Sequence, residues 1–149
     1  MENKRTDTVE TVVDLFNTAM DIQEKYLKKS KFKQLSMTEM HVIDAVDKES
    51  SPSMSAVAHH LNITLGTLTT AVKKIIDKGF LIKEQSTQDQ RIYYLRITDL
   101  GREALTVHEQ FHQELANIYK SNIPDDRIDW VFDNLKKIHK DLLEYRNNL

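Results

Sequence analysis

Thr64, Thr67, Thr69, Thr70, Lys73 and Lys74 crowd into one short stretch of the chain, and Gln88, Asp89, Gln90 and Arg91 follow a little further on. Threonine hydroxyls and glutamine amides hydrogen-bond to base edges, whereas ammonium and guanidinium groups neutralise phosphates, so these side chains are equipped for a nucleic-acid duplex. Under helical spacing Leu65, Leu68, Val72, Ile75 and Ile76 share one arc, and Thr67, Thr70 and Lys74 share the opposite one with Lys73 on its flank. The spacing predicts a helix capped by Thr64 and ended by Gly79. Threonine is a modest helix former. Several of them on an exposed arc lower helix propensity with no packing return, which favours contact with a partner over mere solvation.

The flanking residues have the pattern needed to position such a helix. Ser53 caps a short preceding helix that carries Met54, Val57, Ala58 and Leu61 inward, and Asn62 tolerates the left-handed backbone of a sharp turn. Ser53 and Ser55, at the start of that helix, join the candidate DNA-contacting set. Residues 80–83 and 92–97 favour strands, and the polar stretch between them predicts an exposed hairpin with Asp89 placed to orient the Arg91 guanidinium. Helix, turn, helix and hairpin in this order form a winged helix-turn-helix, whose second helix enters the major groove while the hairpin reaches a neighbouring groove or backbone.

Longer helices surround this unit. Val9, Val12, Val13, Phe16, Met20 and Tyr26 recur at three-and-four spacing over 8–29. Ser36 with Glu39 forms a capping box before a helix over 37–48, whose Met37, Met40, Ile43 and Val46 face inward. Thr98 caps a fifth helix with Leu100, Ala104, Leu105, Phe111, Leu115 and Ile118 on its apolar side. Residues 122–125 interrupt it, and a final helix carries Ile128, Val131, Phe132, Leu135, Ile138 and Leu142. Apolar stripes of this length need cover, and packing them together partly across a two-fold axis supplies it, so a homodimer is expected. The expected fold is therefore mostly α: one domain over 1–149, a winged helix-turn-helix lobe over 36–98 with a two-stranded β-hairpin wing, and long dimerisation helices over 8–30 and 100–148.

Composition narrows the functional classes. The chain has 149 residues and no cysteine, so disulfides, thiolate metal sites and thiol redox sensing are excluded. Nothing near Met1 has a signal peptide's apolar core, and no apolar run is long enough to cross a bilayer; a cytoplasmic protein is expected. The formal net charge is -2, yet residues 64–96 are net positive by 3, which leaves -5 for the remainder. A local basic surface on an acidic chain tracks phosphates at short range without binding every polyanion. No nucleophile stands beside a base at motif spacing and there is no phosphate-cradling glycine loop, so neither an enzyme nor a cofactor is expected.

Two clusters admit more than one use. His108 and His112 are spaced to share one side of the fifth helix, and His41 can approach from the second, which makes zinc a candidate ligand; a histidine in a partly buried pocket is the commoner outcome. Lys25, Lys28, Lys29, Lys31 and Lys33 either complement the end of the first helix or dock an acidic protein.

The run Ala58-His59-His60-Leu61-Asn62-Ile63-Thr64, then Leu68-Thr69-Thr70-Ala71-Val72 and Lys78-Gly79-Phe80, resembles the helix-turn-helix of the MarR family of bacterial transcription regulators. Asp89-Gln90-Arg91 and Ile97-Thr98-Asp99-Leu100-Gly101 resemble that family's wing and the start of its next helix. Phe32-Lys33, Glu39-Met40-His41, Thr64-Leu65-Gly66-Thr67 and His108 with Phe111-His112 are similar to its FabT-type branch. The resemblance implies a repressor of fatty-acid synthesis genes whose co-repressor is an acyl chain on acyl carrier protein. Met20, Met37, Met40, His41, His108 and Phe111 are the pocket candidates for such a guest, flexible thioethers adapting well to a long apolar chain. A regulator released from DNA by a small aromatic ligand, or a zinc-responsive one, uses the same scaffold.

Overall fold

The computed structural model describes residues 2–149, with side chains from Asp7 onward. Six α-helices and two strands follow one another as α1 (Glu2–Lys29), α2 (Met37–Lys48), α3 (Met54–His60), α4 (Leu65–Asp77), β1 (Leu81–Gln85), β2 (Tyr93–Ile97), α5 (Asp99–Ser121) and α6 (Ile128–Asn147). A single 3-10 turn, Asp125–Arg127, leads into α6. The mostly α winged-helix architecture is thus the one expected. The chain divides into two compact units, residues 1–111 and 112–149.

Local chemistry sets most helix ends. The Ser36 hydroxyl accepts from Glu39 N at 3.2 Å while Glu39 Oε2 accepts from Ser36 N at 2.8 Å, which completes the capping box of α2. Ser53 caps α3 through Ala56 N at 3.1 Å, and Thr64 caps α4 through Thr67 N at 3.2 Å. Between them Asn62 takes φ 54°, the left-handed turn that lets α4 cross α3. Gly79, at φ 84°, releases the chain from α4 into β1. The strands pair antiparallel from Leu81↔Ile97 to Gln85↔Tyr93.

The core of the first unit is a single apolar cluster. Val42, Ile43 and Val46 of α2, Val57 of α3, Leu68, Val72 and Ile75 of α4, and Leu81 and Leu95 of the hairpin close on one another, with Ala104 and Leu105 of α5 completing it. Phe32 and Phe80 meet edge to face, ring centroids 5.9 Å apart. At Gly101 a Cβ would lie 2.4 Å from the Phe80 carbonyl oxygen and 2.7 Å from Ile97 Cγ2, so α5 starts where only glycine fits. Gly101→Ala is expected to lower stability by about 1–3 kcal/mol through overpacking against backbone, read as a lower urea midpoint at unchanged slope.

A half-buried ion pair ties the end of α4 to α2. Lys78 Nζ donates to both oxygens of Glu39, at 2.8 and 2.7 Å, and to the Gln34 carbonyl at 2.8 Å. Burial pushes the Glu39 carboxyl up, but the bonds from Lys78 and Ser36 and the Lys78 charge outweigh it and hold the group below its ordinary range. A carboxylate depressed on folding stabilises above its unfolded pKa, and that contribution fades as pH falls through the lower folded value. Stability is therefore expected to decline on acidification from about pH 4.5, the group's ordinary value. Glu39→Gln should flatten that decline in acid unfolding followed by circular dichroism; an unchanged pH profile would refute the linkage.

Several expected burials differ. Leu65, assigned by spacing to the buried arc of α4, is 50% exposed because it stands in the first turn, beyond the residues that α2 and α3 cover. Leu100 and Ile118 are exposed, as are Val9, Val12, Val13, Phe16 and Met20 of α1 and Leu135, Ile138 and Leu142 of α6. The stripes that spacing picked out along α1 and α6 are real patterns, but one chain leaves them in water.

Candidate nucleic-acid interface

Helix α4 presents Thr64, Thr67, Thr69, Thr70, Lys73 and Lys74 to solvent, all exposed, while Leu68, Val72 and Ile75 are buried beneath them. The division follows from 3.6-residue periodicity: anchoring the apolar stripe on α2 and α3 leaves the hydroxyl and ammonium groups no direction but outward. Thr69 Oγ1 donates to the Leu65 carbonyl at 2.7 Å and Thr70 Oγ1 to the Gly66 carbonyl at 3.2 Å. With the proton directed to the helix backbone, each hydroxyl offers acceptor lone pairs and a methyl group outward, suited to the exocyclic amines of cytosine and adenine. Thr64 and Thr67 share a hydrogen bond at 2.8 Å.

Gly66 is exposed between them. A Cβ there would meet only Thr64 Oγ1, at 4.0 Å. Glycine is a poor helix former, costing about 0.5–1 kcal/mol relative to alanine in a helix interior, and no packing around Gly66 requires it. The missing side chain leaves the backbone open to close approach from outside.

The wing stands beside this face. Ser86 Oγ accepts from Gln88 N and Asp89 N, each at 3.2 Å, and Gln85 Nε2 donates to the Gln90 carbonyl at 2.6 Å, so the tip is held by its own polar groups. Asp89 Oδ1 accepts from the backbone N of Arg91 at 2.9 Å. The expected carboxylate–guanidinium contact is not among the ion pairs of the described residues; Asp89 shapes the turn, and the Arg91 head stays available. Lys83 lies over the Tyr93 ring, 4.4 Å from its centroid. Ser53, Met54, Ser55, Leu65, Thr69, Arg91 and Tyr93 together line the groove between α4 and the wing. Ser55 is exposed there, whereas half-buried Ser53 spends its oxygen as the α3 cap.

Pairing separates these cations from others. Lys25 bonds to Asp21 and Lys28 to Glu24, each at 2.6 Å, and Lys31 pairs with Glu103. Arg96 pairs with Glu84 at 2.6 Å and Arg102 with Asp47 at 3.5 Å. Among the described residues Lys73, Lys74 and Arg91 take part in no ion pair. Three of the five lysines around the end of α1 are thus partly neutralised by their own chain; Lys29 and Lys33 are exposed.

The pocket candidates fall in different settings. Met40, His108 and Phe111 are buried, and the His41 and His108 rings meet at 5.7 Å. Gln23 Nε2 lies 3.4 Å from His41 Nε2, and Tyr26 tilts against Phe111 at 5.6 Å, so α1, α2 and α5 converge on one polar spot inside an apolar surround. Met37 lies instead on a groove with Leu27, Lys33 and Lys74, and Met20 is 43% exposed. Among the described residues no group of three or more His, Asp or Glu side chains is arranged to hold a metal ion. His112 belongs to the second unit and is exposed.

Comparison with known proteins points the same way. Residues 35–93 match the model of the MarR family. The uncharacterized HTH-type transcriptional regulator YhjH of Bacillus subtilis is 30% identical over 88 residues, covering 59% of this chain and 50% of that protein. The chain thus spans half the length of that relative. YkoM of the same organism, also described as an HTH-type transcriptional regulator, is 27% identical over 84% of this chain and 82% of its own. Streptococcus pneumoniae FabT, solved in complex with DNA, superposes with a TM-score of 0.87 at 29% identity, covering 94% of this chain and 98% of that one. YhjH and YkoM are thus both described as transcriptional regulators, and FabT is a protein solved on DNA. No described helix is long and apolar enough to cross a membrane.

Proposed function

The chain is a MarR-family protein, and from that premise we propose that it is a sequence-specific, double-stranded-DNA-binding repressor that acts in the cytoplasm as a homodimer. One observation carries the reading: Thr67, Thr69, Thr70, Lys73 and Lys74 of α4 and Arg91 of the adjoining wing face outward, the three cations in no ion pair among the described residues, in a fold that superposes on a protein solved with DNA. Two copies would set their α4 helices in successive major grooves, roughly 34 Å apart, on a pseudo-palindromic site. The apolar residues left in water along α1, among them Val12 and Phe16, and along α6, among them Leu135 and Leu142, supply surface for the pairing.

The sequence resemblance to the FabT-type branch extends the proposal to fatty-acid biosynthesis genes, with acylated acyl carrier protein as co-repressor. An acyl chain entering where α1, α2 and α5 converge, near Met40, His41, His108 and Phe111, shifts DNA binding only by its preference for the DNA-competent geometry. Lys29 and Lys33 are the cations best placed near the end of α1 to meet an acidic carrier. Fluorescence anisotropy on a labelled operator, with and without acylated carrier, tests this reading. Tighter binding with the carrier is expected. Unchanged or weaker binding rejects the co-repressor, and failure to bind any duplex at low salt rejects the DNA-binding reading itself.

A further inference from the structure

Leu65 is the first residue of α4, and half of its surface is in water on a face otherwise built of threonine and lysine. It borders the groove shared with Ser55, Thr69, Arg91 and Tyr93, so its exposed side looks where a duplex held by α4 and the wing would lie. Residues at the start of a recognition helix are the ones that reach base edges. The apolar feature a major groove displays is the C5 methyl group of thymine.

Resting on the proposed DNA contact, we infer that Leu65 is a specificity-determining residue: its side chain packs against the methyl group of one thymine in each half-site and so selects T over C at that position. Three observations converge on this assignment. Leu65 is apolar and half exposed, whereas Leu68, Val72 and Ile75 of the same helix are buried and Ala71 and Ile76 partly so. Gly66 beside it carries no Cβ, and the space a Cβ would take is open, so the helix start can approach base edges closely. Thr69, which lines the same groove, donates its hydroxyl proton to the Leu65 carbonyl, so that hydroxyl presents a lone pair and its methyl group toward the groove and leaves the apolar contact to Leu65.

The test isolates the methyl group. A duplex enriched by the wild-type protein from a random library is remade with each thymine in turn replaced by deoxyuridine, which removes the methyl and nothing else. Wild type should lose about fourfold in affinity at one thymine per half-site, the effect of one buried methyl. Leu65→Ala should bind the parent duplex more weakly and show no loss at that same position, whereas Leu65→Met, which keeps an apolar side chain, should regain the methyl dependence. Circular dichroism reports whether both variants are folded, and Leu65→Met keeps the test decisive if the alanine variant is not. Equal losses in wild type and Leu65→Ala, or no thymine at which the methyl matters, overturn the inference while leaving DNA binding intact. If wild type enriches and binds no duplex, the DNA-binding reading falls and this inference with it.

Discussion

Replacing Phe80 with alanine lowers the free energy of unfolding by about 3–5 kcal/mol, the range for emptying a large aromatic site in a packed core. Phe80 has no exposed surface, and its ring stands edge to face on Phe32, a geometry worth about 0.5–1.5 kcal/mol beyond area alone. Its backbone is engaged as well. Phe80 N donates to the Ile75 carbonyl at 3.1 Å, Thr98 N donates to the Phe80 carbonyl at 3.2 Å, and the Thr98 hydroxyl donates to the Gly79 carbonyl at 2.7 Å. The residue thus joins the end of α4 to the root of the wing and the start of α5. Losing the ring removes the packing that sets α4 and the wing against each other. A urea midpoint well below wild type at the same slope, together with a weaker and less selective protein–DNA complex, is the expected pair of results. Wild-type stability in this variant would show that the cluster around Phe80 is not the centre of the core.

Features decided by neighbours in sequence were legible from the chain. Ser36 and Glu39 are three residues apart, and the capping box forms as their spacing predicts. Asn62 takes the left-handed backbone that a tight helical crossing needs, and Thr64 caps the helix it precedes. The exposed face of α4 follows from periodicity because the opposite arc is strongly apolar.

What the sequence hid depends on distance or on cover. The sequence marks Glu39 as a capping residue; that it also receives Lys78 from the end of α4 is a contact 39 positions away that no local pattern encodes. Leu65 satisfies the apolar arc of α4, but periodicity assigns a direction and not a depth, and at the first turn no partner helix lies over it. The same limit applies to α1 and α6: spacing gives each an apolar stripe, and much of that stripe is exposed. At the wing tip the spacing of Asp89 and Arg91 suggests a side-chain pair; the carboxylate is instead taken up by the Arg91 backbone, because an aspartate closing a tight turn reaches an N–H two residues on at less entropic cost than a long guanidinium.

Removing Lys73 and Arg91 together should weaken binding to every duplex, operator or not. Neither side chain is committed to a carboxylate among the described residues, so both are free to displace counterions from phosphates. Each phosphate contact contributes about 0.9 to the slope of log affinity against log salt, so the double alanine variant, which removes two contacts per protomer and four from the proposed dimer, should flatten that slope by about 3.6 and lose up to roughly four-thousandfold in affinity at 0.1 M salt. Thr67→Ala and Thr70→Ala should behave differently, since hydroxyls that meet base edges carry no counterions. In those variants the salt slope stays at the wild-type value while the ratio of operator to scrambled-duplex affinity falls. The separation matters because a general loss of structure would lower both quantities in all the variants. Titrations at several salt concentrations, run on operator and scrambled duplexes, distinguish the two kinds of contact, and an unaltered slope in the Lys73 and Arg91 variant would remove the phosphate-binding role from this face.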